Sequence, residues 1–213
     1  MHLIMFDIDG TLVQSYDFDT QCFAQAVETV LGTRIDTDWG NYTDVTDSGI
    51  LSSILDELSM TESDRTIVAQ DVKDTFIHLV EKHIETHPVA EIPGAARFIN
   101  LLAARPDTAL AFATGGWRET ALLKLAAAGI DPGDIPIASA SDHHRRVDIM
   151  KTAATIAGGE PYDSITYIGD GPWDKSASAY LGYRFILVGN RVAHTPSIPN
   201  FSETDAVLEL LRL

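Results

Sequence analysis

Five short apolar segments constrain the fold of this chain more than any other feature of its sequence. They cover residues 3–6, 109–114, 135–140, 165–168 and 184–188. Each is apolar almost throughout rather than alternating, which is typical of strands buried on both faces of a parallel sheet. Helical patterns separate the last four, at residues 118–128, 147–157 and 175–181. Because strands and helices alternate, we predict an α/β fold with a doubly wound parallel sheet.

A long interval between the first and second segments interrupts this alternation. Much of it has a helical period, with apolar residues regularly spaced over residues 23–31, 50–58 and 61–83. The pair His87-Pro88 then breaks the pattern. We therefore predict that residues 15–88 are a helical insertion, and that residues 1–14 and 89–213 together form the core domain.

The charge of the chain limits its partners. Its formal net charge is −16, with 31 acidic residues against 15 lysines and arginines. So few basic side chains cannot form the clustered face that binds nucleic acid. An acidic surface also repels anions at long range, so a site for an anionic substrate must supply its own positive charge, for example through a bound cation.

Cysteine usage and hydropathy indicate the compartment. Cys22 is the only cysteine, which excludes an internal disulfide and favours a reducing compartment. The first apolar stretch is too short for a signal peptide, and no later run reaches the roughly 18 apolar residues of a membrane helix. We expect a cytoplasmic protein without a membrane partner.

Polar residues follow three of the five predicted strands. In an open α/β sheet, the active crevice lies beyond the carboxyl ends of the strands, so these residues are expected to converge. Two carboxylates that share a site repel each other unless a cation or a proton compensates. A hydroxyl with glycine amides before a helix can hold a phosphate. The residues are Asp7 and Asp9, then Thr114, Gly115 and Gly116, then Asp170 and Asp174.

Three motifs in this order resemble the haloacid dehalogenase superfamily. They are "DIDGT" near the N-terminus, "TGG" after the second apolar segment, and the later "GDGPWD". The resemblance covers essentially the whole chain and is to the branch of phosphoglycolate phosphatase and β-phosphoglucomutase. It implies a Rossmann-like core, with the insertion at residues 15–88 serving as a helical cap domain.

The resemblance also implies the chemistry of the carboxylates. Asp7 matches the nucleophile that forms an aspartyl-phosphate, and Asp9 matches the general acid/base. Mg²⁺, a hard cation that prefers oxygen ligands, would be held by Asp7, the backbone carbonyl of Asp9 and Asp170. Asp174 would be an outer or water-mediated partner of the metal, and Thr114 would contact the phosphoryl group.

The family also requires a basic residue that neutralises the phosphoryl group. The stretch "SDHHRRVDIMK" offers Arg145, Arg146 and Lys151. The family places this residue just before or at the start of the helix that precedes the last motif, which favours Arg146. The Lys-Pro pair of the phosphoglycolate-phosphatase-like pattern is absent here.

The cap is expected to set substrate specificity. Residues 41–50 are polar and without helical period, and Thr43, Thr46 and Asp47 are candidates to contact the substrate. An equal alternative is an ordinary connection between helices, in which Asp47 or Ser48 caps the next helix.

Taken together, the residues and the resemblance predict a Mg²⁺-dependent phosphoric monoester hydrolase. Its partner would be a small phosphorylated metabolite, and it would act as a monomer or homodimer. The alternatives are a phosphomutase of the β-phosphoglucomutase type, with the same motifs, and a non-catalytic binding protein on the same fold. A dehalogenase fits less well because that branch lacks the second aspartate, whereas Asp9 is present.

Overall fold

A computed structural model describes residues 1–158 and 161–213. Within them, a single parallel sheet holds six strands in the order β3-β2-β1-β4-β5-β6. This is the Rossmann strand order, so the predicted doubly wound α/β fold is confirmed. The strands are β1 (His2–Phe6), β2 (Thr108–Ala113), β3 (Ile137–Ala138), β4 (Ser164–Gly169), β5 (Arg184–Val188) and β6 (Ser197–Ile198).

Helices cover both faces of the sheet, as the continuous apolar strands require. They are α1 (Tyr16–Leu31), α2 (Asp47–Asp56), α3 (Glu62–Thr86), α4 (Ala95–Ala103), α5 (Arg118–Ala127), α6 (Arg146–Ile156), α7 (Pro172–Leu181) and α8 (Thr204–Leu211). One apolar cluster joins alternate strand residues such as Ile4 and Phe6 to α4, α5 and α8. The other joins Leu3 and Met5 to α6 and α7.

The inserted helices α1, α2 and α3 share a third apolar cluster. Phe23 packs edge-on against Phe76, with ring centroids 5.5 Å apart, and against Trp39 at 6.0 Å. Trp117 and Ala140, which lie after β2 and β3, belong to the same cluster. The insertion therefore packs directly on the carboxyl ends of the strands. In the described part of the chain, no helix combines the length and hydropathy needed to cross a bilayer.

Four elements differ from the sequence prediction. The connection at residues 41–50 is partly helical, because α2 begins at Asp47. Its cap is Thr46, whose hydroxyl accepts a hydrogen bond from Gly49 N, so the alternative in which Asp47 or Ser48 caps the helix is wrong. Strand β3 is shorter than predicted, since Pro136 has no amide proton to extend the ladder. The sequence analysis did not predict β6 or α8 at all.

Candidate active site

Two neighbouring strand ends, those of β1 and β4, bring three carboxylates together around Asp7. This residue follows β1, and its amide donates to Ile168 O of β4 at 2.9 Å. Oxygens of Asp7, Asp170 and Asp174 all lie within 4.8 Å of one another. All three side chains are buried. The convergence expected from the strand exits is thus present for these three aspartates.

Arg146, the first residue of α6, lies between two of these carboxylates. Its Nη1 is 3.2 Å from Asp7 Oδ1 and 3.0 Å from Asp174 Oδ1. Nη1 also donates to the Tyr167 hydroxyl, and Nη2 donates to Val45 O of the insertion, at 3.3 Å and 3.2 Å. The guanidinium therefore contacts the carboxylate cluster and the cap at once.

The other two basic candidates lie outside the cluster. Arg145 is 57% exposed and approaches Asp44 at 4.0 Å. Lys151 is 55% exposed and pairs with Asp148 at 3.3 Å along its own helix. Of the three residues predicted from the sequence, only Arg146 lies beside Asp7.

The carboxylate cluster is electrostatically costly. Burial raises the pKa of Asp7 well above its usual range, and the charge of Asp174 adds to the shift, while Arg146 opposes it. Burial and Asp174 raise the pKa of Asp170 to about 7. Arg146 and Arg191 therefore do not fully compensate three buried carboxylates, and a bound cation would stabilise them.

The donor set fits a hard divalent cation. Asp170 Oδ2 lies 3.1 Å from Arg191 Nε, but the buried Oδ1 has no hydrogen-bond partner among the described residues. Asp174 is more fully engaged, because its Oδ2 accepts from Gly171 N at 2.9 Å and its Oδ1 faces Arg146. Carboxylate oxygens are the ligands that Mg²⁺ prefers. Asp7, Asp170 and Asp174 all offer oxygens that could contribute to such a site.

Gly10 allows this close arrangement. Its φ is +78°, a left-handed conformation that glycine adopts without strain. A Cβ at this position would collide with the Asp170 carboxylate. The first motif therefore needs glycine both for its backbone conformation and for the space that Asp170 occupies.

Asp9 lies outside the cluster of Asp7, Asp170 and Asp174 and pairs with a buried lysine instead. Lys124 Nζ lies 2.6 Å from Asp9 Oδ1 and 2.7 Å from Asp19 Oδ1. The Ser15 hydroxyl donates to the same Asp9 oxygen. Burial alone would lower the pKa of Lys124, but Asp19, Asp9 and Asp47 together raise it above its usual value. Lys124 is therefore an ammonium ion, fully enclosed on α5.

The sequence analysis missed Lys124 and Asp19, although helical spacing carries a signal for both. Lys124 falls on the same face of α5 as the buried Ala121 and Leu125. Asp19 precedes the buried Phe23 of α1 by one helical turn. Charged residues at core-facing positions are rarely buried unless they are paired, so one buried charge of each sign predicts a pair.

Arg191 was also missed, and it follows β5 at the same edge of the sheet. Its guanidinium carbon lies 3.4 Å from the ring centroid of Tyr16, while Nε contacts Asp170. The sequence analysis searched for polar residues just after the predicted strands. The same search after β5 would have found the loop that contains Arg191.

The glycine motif after β2 lies against Arg146. A Cβ on Gly115 would collide with the guanidinium, and a Cβ on Gly116 would lie 3.3 Å from Asp9 Oδ2. The buried Thr114 hydroxyl accepts a hydrogen bond from Gly116 N at 3.2 Å. Thr114, Gly115 and Gly116 all line the cavity that contains Asp7.

That cavity lies between the sheet and the insertion. Thr46 and Asp47 line it, but Thr43 does not; Thr43 lines a neighbouring cleft with Arg145. The Thr46 hydroxyl is already engaged by Gly49 N and His144 O. Of the three cap residues predicted to contact substrate, Asp47 is therefore the best placed.

Comparison with known proteins gives one family. Residues 4–188 match the family model described as haloacid dehalogenase-like hydrolase. No curated protein matches the chain.

Solved structures share the fold at low sequence identity. A hydrolase from Pseudomonas syringae has a TM-score of 0.71 at 20% identity, over 92% of this chain and 88% of its own. CbbY from Rhodobacter sphaeroides in complex with phosphate has a TM-score of 0.69 at 19% identity, over 94% and 95%. A predicted phosphoglycolate phosphatase from Haemophilus somnus has a TM-score of 0.67 at 18% identity, over 96% of each chain.

Proposed function

Because this chain belongs to the haloacid dehalogenase-like hydrolase family, we propose that it is a Mg²⁺-dependent phosphatase of small phosphomonoesters. The observation that carries the proposal is the position of the Asp7 carboxylate. It lines the cavity, contacts Arg146 at 3.2 Å, and belongs to the buried oxygen cluster with Asp170 and Asp174.

Asp7 is proposed as the nucleophile. One of its oxygens attacks phosphorus, and the bond from phosphorus to the leaving oxygen breaks, which gives an aspartyl-phosphate and an alkoxide. Asp9 donates a proton to the alkoxide, and the alcohol leaves. Asp9 then takes a proton from the water that attacks phosphorus, which frees inorganic phosphate and restores the Asp7 carboxylate.

Positive charge and hydrogen-bond donors support this chemistry. Arg146 lies where it would neutralise the phosphoryl oxygens as well as Asp7. Thr114 and the glycine motif face the same cavity and are proposed to bind the phosphoryl group. Mg²⁺, held by Asp7, Asp170 and the Asp9 carbonyl with Asp174 in an outer role, would supply Lewis-acid stabilisation of the transferred group. Within the part of the chain that the structure describes, Asp170 Oδ1 is buried without a hydrogen-bond partner, which supports a metal ion beside it.

A screen of phosphate release tests the proposal. The purified protein is incubated with a panel of small phosphomonoesters, in Mg²⁺ or in EDTA, with the Asp7→Asn variant as the blank. We expect release that requires both Mg²⁺ and Asp7. Folded, Mg²⁺-binding protein that releases no phosphate from any compound would contradict the phosphatase assignment.

Mg²⁺ binding is expected to strengthen with pH. Because burial and Asp174 raise the pKa of Asp170 to about 7, this carboxyl is largely protonated in metal-free protein at lower pH. A ligand must be ionised, so the metal displaces a proton there. Calorimetry in two buffers of different ionisation enthalpy should detect release of about one proton or more per ion near pH 6, and less near pH 8.5.

Two results would contradict this prediction. One is Mg²⁺ affinity that does not change with pH across that range. The other is unchanged binding in Asp170→Asn protein, with the exposed Asp71→Asn variant as a control for loss of one negative charge.

A further inference from the structure

The cap side of the cavity is both acidic and aromatic. Asp19 and Asp47 line it, and the rings of Phe23, Trp39 and Trp173 form walls beside them. Asp47 is buried and fixed in place, because its Oδ2 accepts a hydrogen bond from Trp117 N at 2.8 Å. This half of the cavity lies beyond Asp7 and Asp9, where the alcohol part of a bound phosphomonoester would extend.

The cavity has few groups for a second anion. Its lining contains four aspartates and one arginine. That arginine, Arg146, is already paired with Asp7 and Asp174 and is placed to meet the transferred phosphoryl group. Lys124 lies behind the lining, fully enclosed and paired with two carboxylates. Among the described residues that line the cavity, Arg146 is the only cation, and its second nitrogen, Nη2, already donates to Val45 O of the cap at 3.2 Å.

We propose that the substrate is a phosphomonoester whose alcohol carries an ammonium group, recognised chiefly by Asp47. This inference rests on the proposed phosphatase function. A cation in this position would meet the Asp47 carboxylate and the aromatic rings that line the same wall, and aromatic rings attract primary and quaternary ammonium groups. Asp19 lines this wall as well, but it is already paired with Lys124 at 2.7 Å. A carboxylate or second phosphate in the same position would meet like charges without a partner.

Three compounds of matched length test the proposal. They are 2-aminoethyl phosphate, 2-hydroxyethyl phosphate and phosphoglycolate, which end in an ammonium, a hydroxyl and a carboxylate respectively. We expect kcat/KM with Mg²⁺ to be highest for the ammonium compound, and at least about 100-fold higher than for phosphoglycolate. Equal rates for the three, or a preference for phosphoglycolate, would overturn the inference.

A charge variant then locates the preference. Asp47→Asn keeps an oxygen for Trp117 N but removes the charge, and should lower kcat/KM for 2-aminoethyl phosphate about tenfold. Its effect on kcat/KM for the hydroxyl compound, which carries no charge to meet Asp47, should be clearly smaller. Asp71→Asn, which makes the same charge change on the exposed face of α3, should alter neither. If Asp47→Asn lowers all three rates equally, Asp47 has a structural role and the assignment of Asp47 is wrong.

A general substrate separates this inference from the proposed function. If p-nitrophenyl phosphate is hydrolysed but the ammonium compound is not preferred, the phosphatase assignment stands and the leaving-group assignment fails. If no compound is hydrolysed, both fail. Calorimetry of 2-aminoethyl phosphate and phosphoglycolate binding to Asp7→Asn protein gives the same ranking without turnover, and tighter binding of phosphoglycolate would overturn the inference.

Discussion

Asp7→Asn is expected to abolish turnover and, at the same time, to make the metal-free protein more stable. An amide cannot replace the carboxylate as nucleophile, so kcat/KM should fall by about 10³-fold or more. The opposite effect on stability follows from the surroundings of Asp7, where burial and Asp174 raise its pKa well above the usual range. The ionised carboxylate is therefore disfavoured in the folded protein.

The sign follows from linkage. Because the pKa of Asp7 is raised on folding, the stability that its carboxyl contributes is fully present below the unfolded pKa. It is lost as the pH rises through the folded value. Asparagine cannot ionise, so at neutral pH the variant avoids the stability that the Asp7 carboxyl costs the folded protein. Arg146 still has Asp174 as a partner at 3.0 Å. A gain of about 1 kcal/mol would raise Tm by roughly 2–4 °C.

Thermal unfolding in EDTA measures this effect, with Asp71→Asn as the matched control that should change Tm little. Retained turnover would show that Asp7 is not the nucleophile. A clear fall in Tm would show that the Asp7 carboxylate stabilises the empty site, contrary to the electrostatic argument.

Lys124→Met is the substitution with the largest expected effect on stability. Methionine has a similar length but no charge, so Asp9 and Asp19 would lose their shared ammonium partner at 2.6 and 2.7 Å. Removal of one partner from a buried ion pair costs about 3–5 kcal/mol. We expect Tm to fall by roughly 10 °C or more. The rate should also fall, because Asp9 would lose the contact that holds its Oδ1.

Two further measurements distinguish loss of the ion pair from a simple packing defect. Adding Asp19→Asn to Lys124→Met removes one uncompensated carboxylate and should recover part of the lost stability. Lowering the pH should also help the single variant, because burial raises the pKa of Asp19 to about 6 and protonation removes its charge. Lys82→Met on the exposed face of α3 is the control. A loss of stability in Lys124→Met that neither change reduces would contradict the electrostatic explanation.

The sheet and the carboxylate cluster could be predicted because both follow from local patterns. Continuous apolar segments indicate buried parallel strands, and the polar residues just after them must meet at one edge. Asp7 and Asp170 were found in this way, whereas Arg146 followed from the family resemblance. The strand β6 was not, since Ser197–Ile198 is too short to show a pattern.

The polar contacts between the insertion and the core could not be predicted from local patterns. The pair between Asp19 and Lys124 joins residues 105 positions apart, so its geometry depends on how α1 packs on α5. Thr46 and Asp47 were both considered for substrate contact, and both line the cavity. The Thr46 hydroxyl, however, is occupied by Gly49 N and His144 O at the start of α2. Sequence spacing does not show which of two neighbouring polar side chains is occupied in this way.

The hydrogen bonds at the start of α2 would link the movement that admits substrate to the position of Arg146. Asp47 N donates to Gly115 O at 2.8 Å, Asp47 Oδ2 accepts from Trp117 N at 2.8 Å, and Arg146 Nη2 donates to Val45 O at 3.2 Å. If the insertion moves away to admit substrate, these bonds break together and Arg146 loses its cap-side anchor. Arg146 would then have all its contacts only in the closed state. A half-open enzyme could exchange ligands, but the proposed aspartyl-phosphate would form only when the insertion is closed and bulk water is excluded.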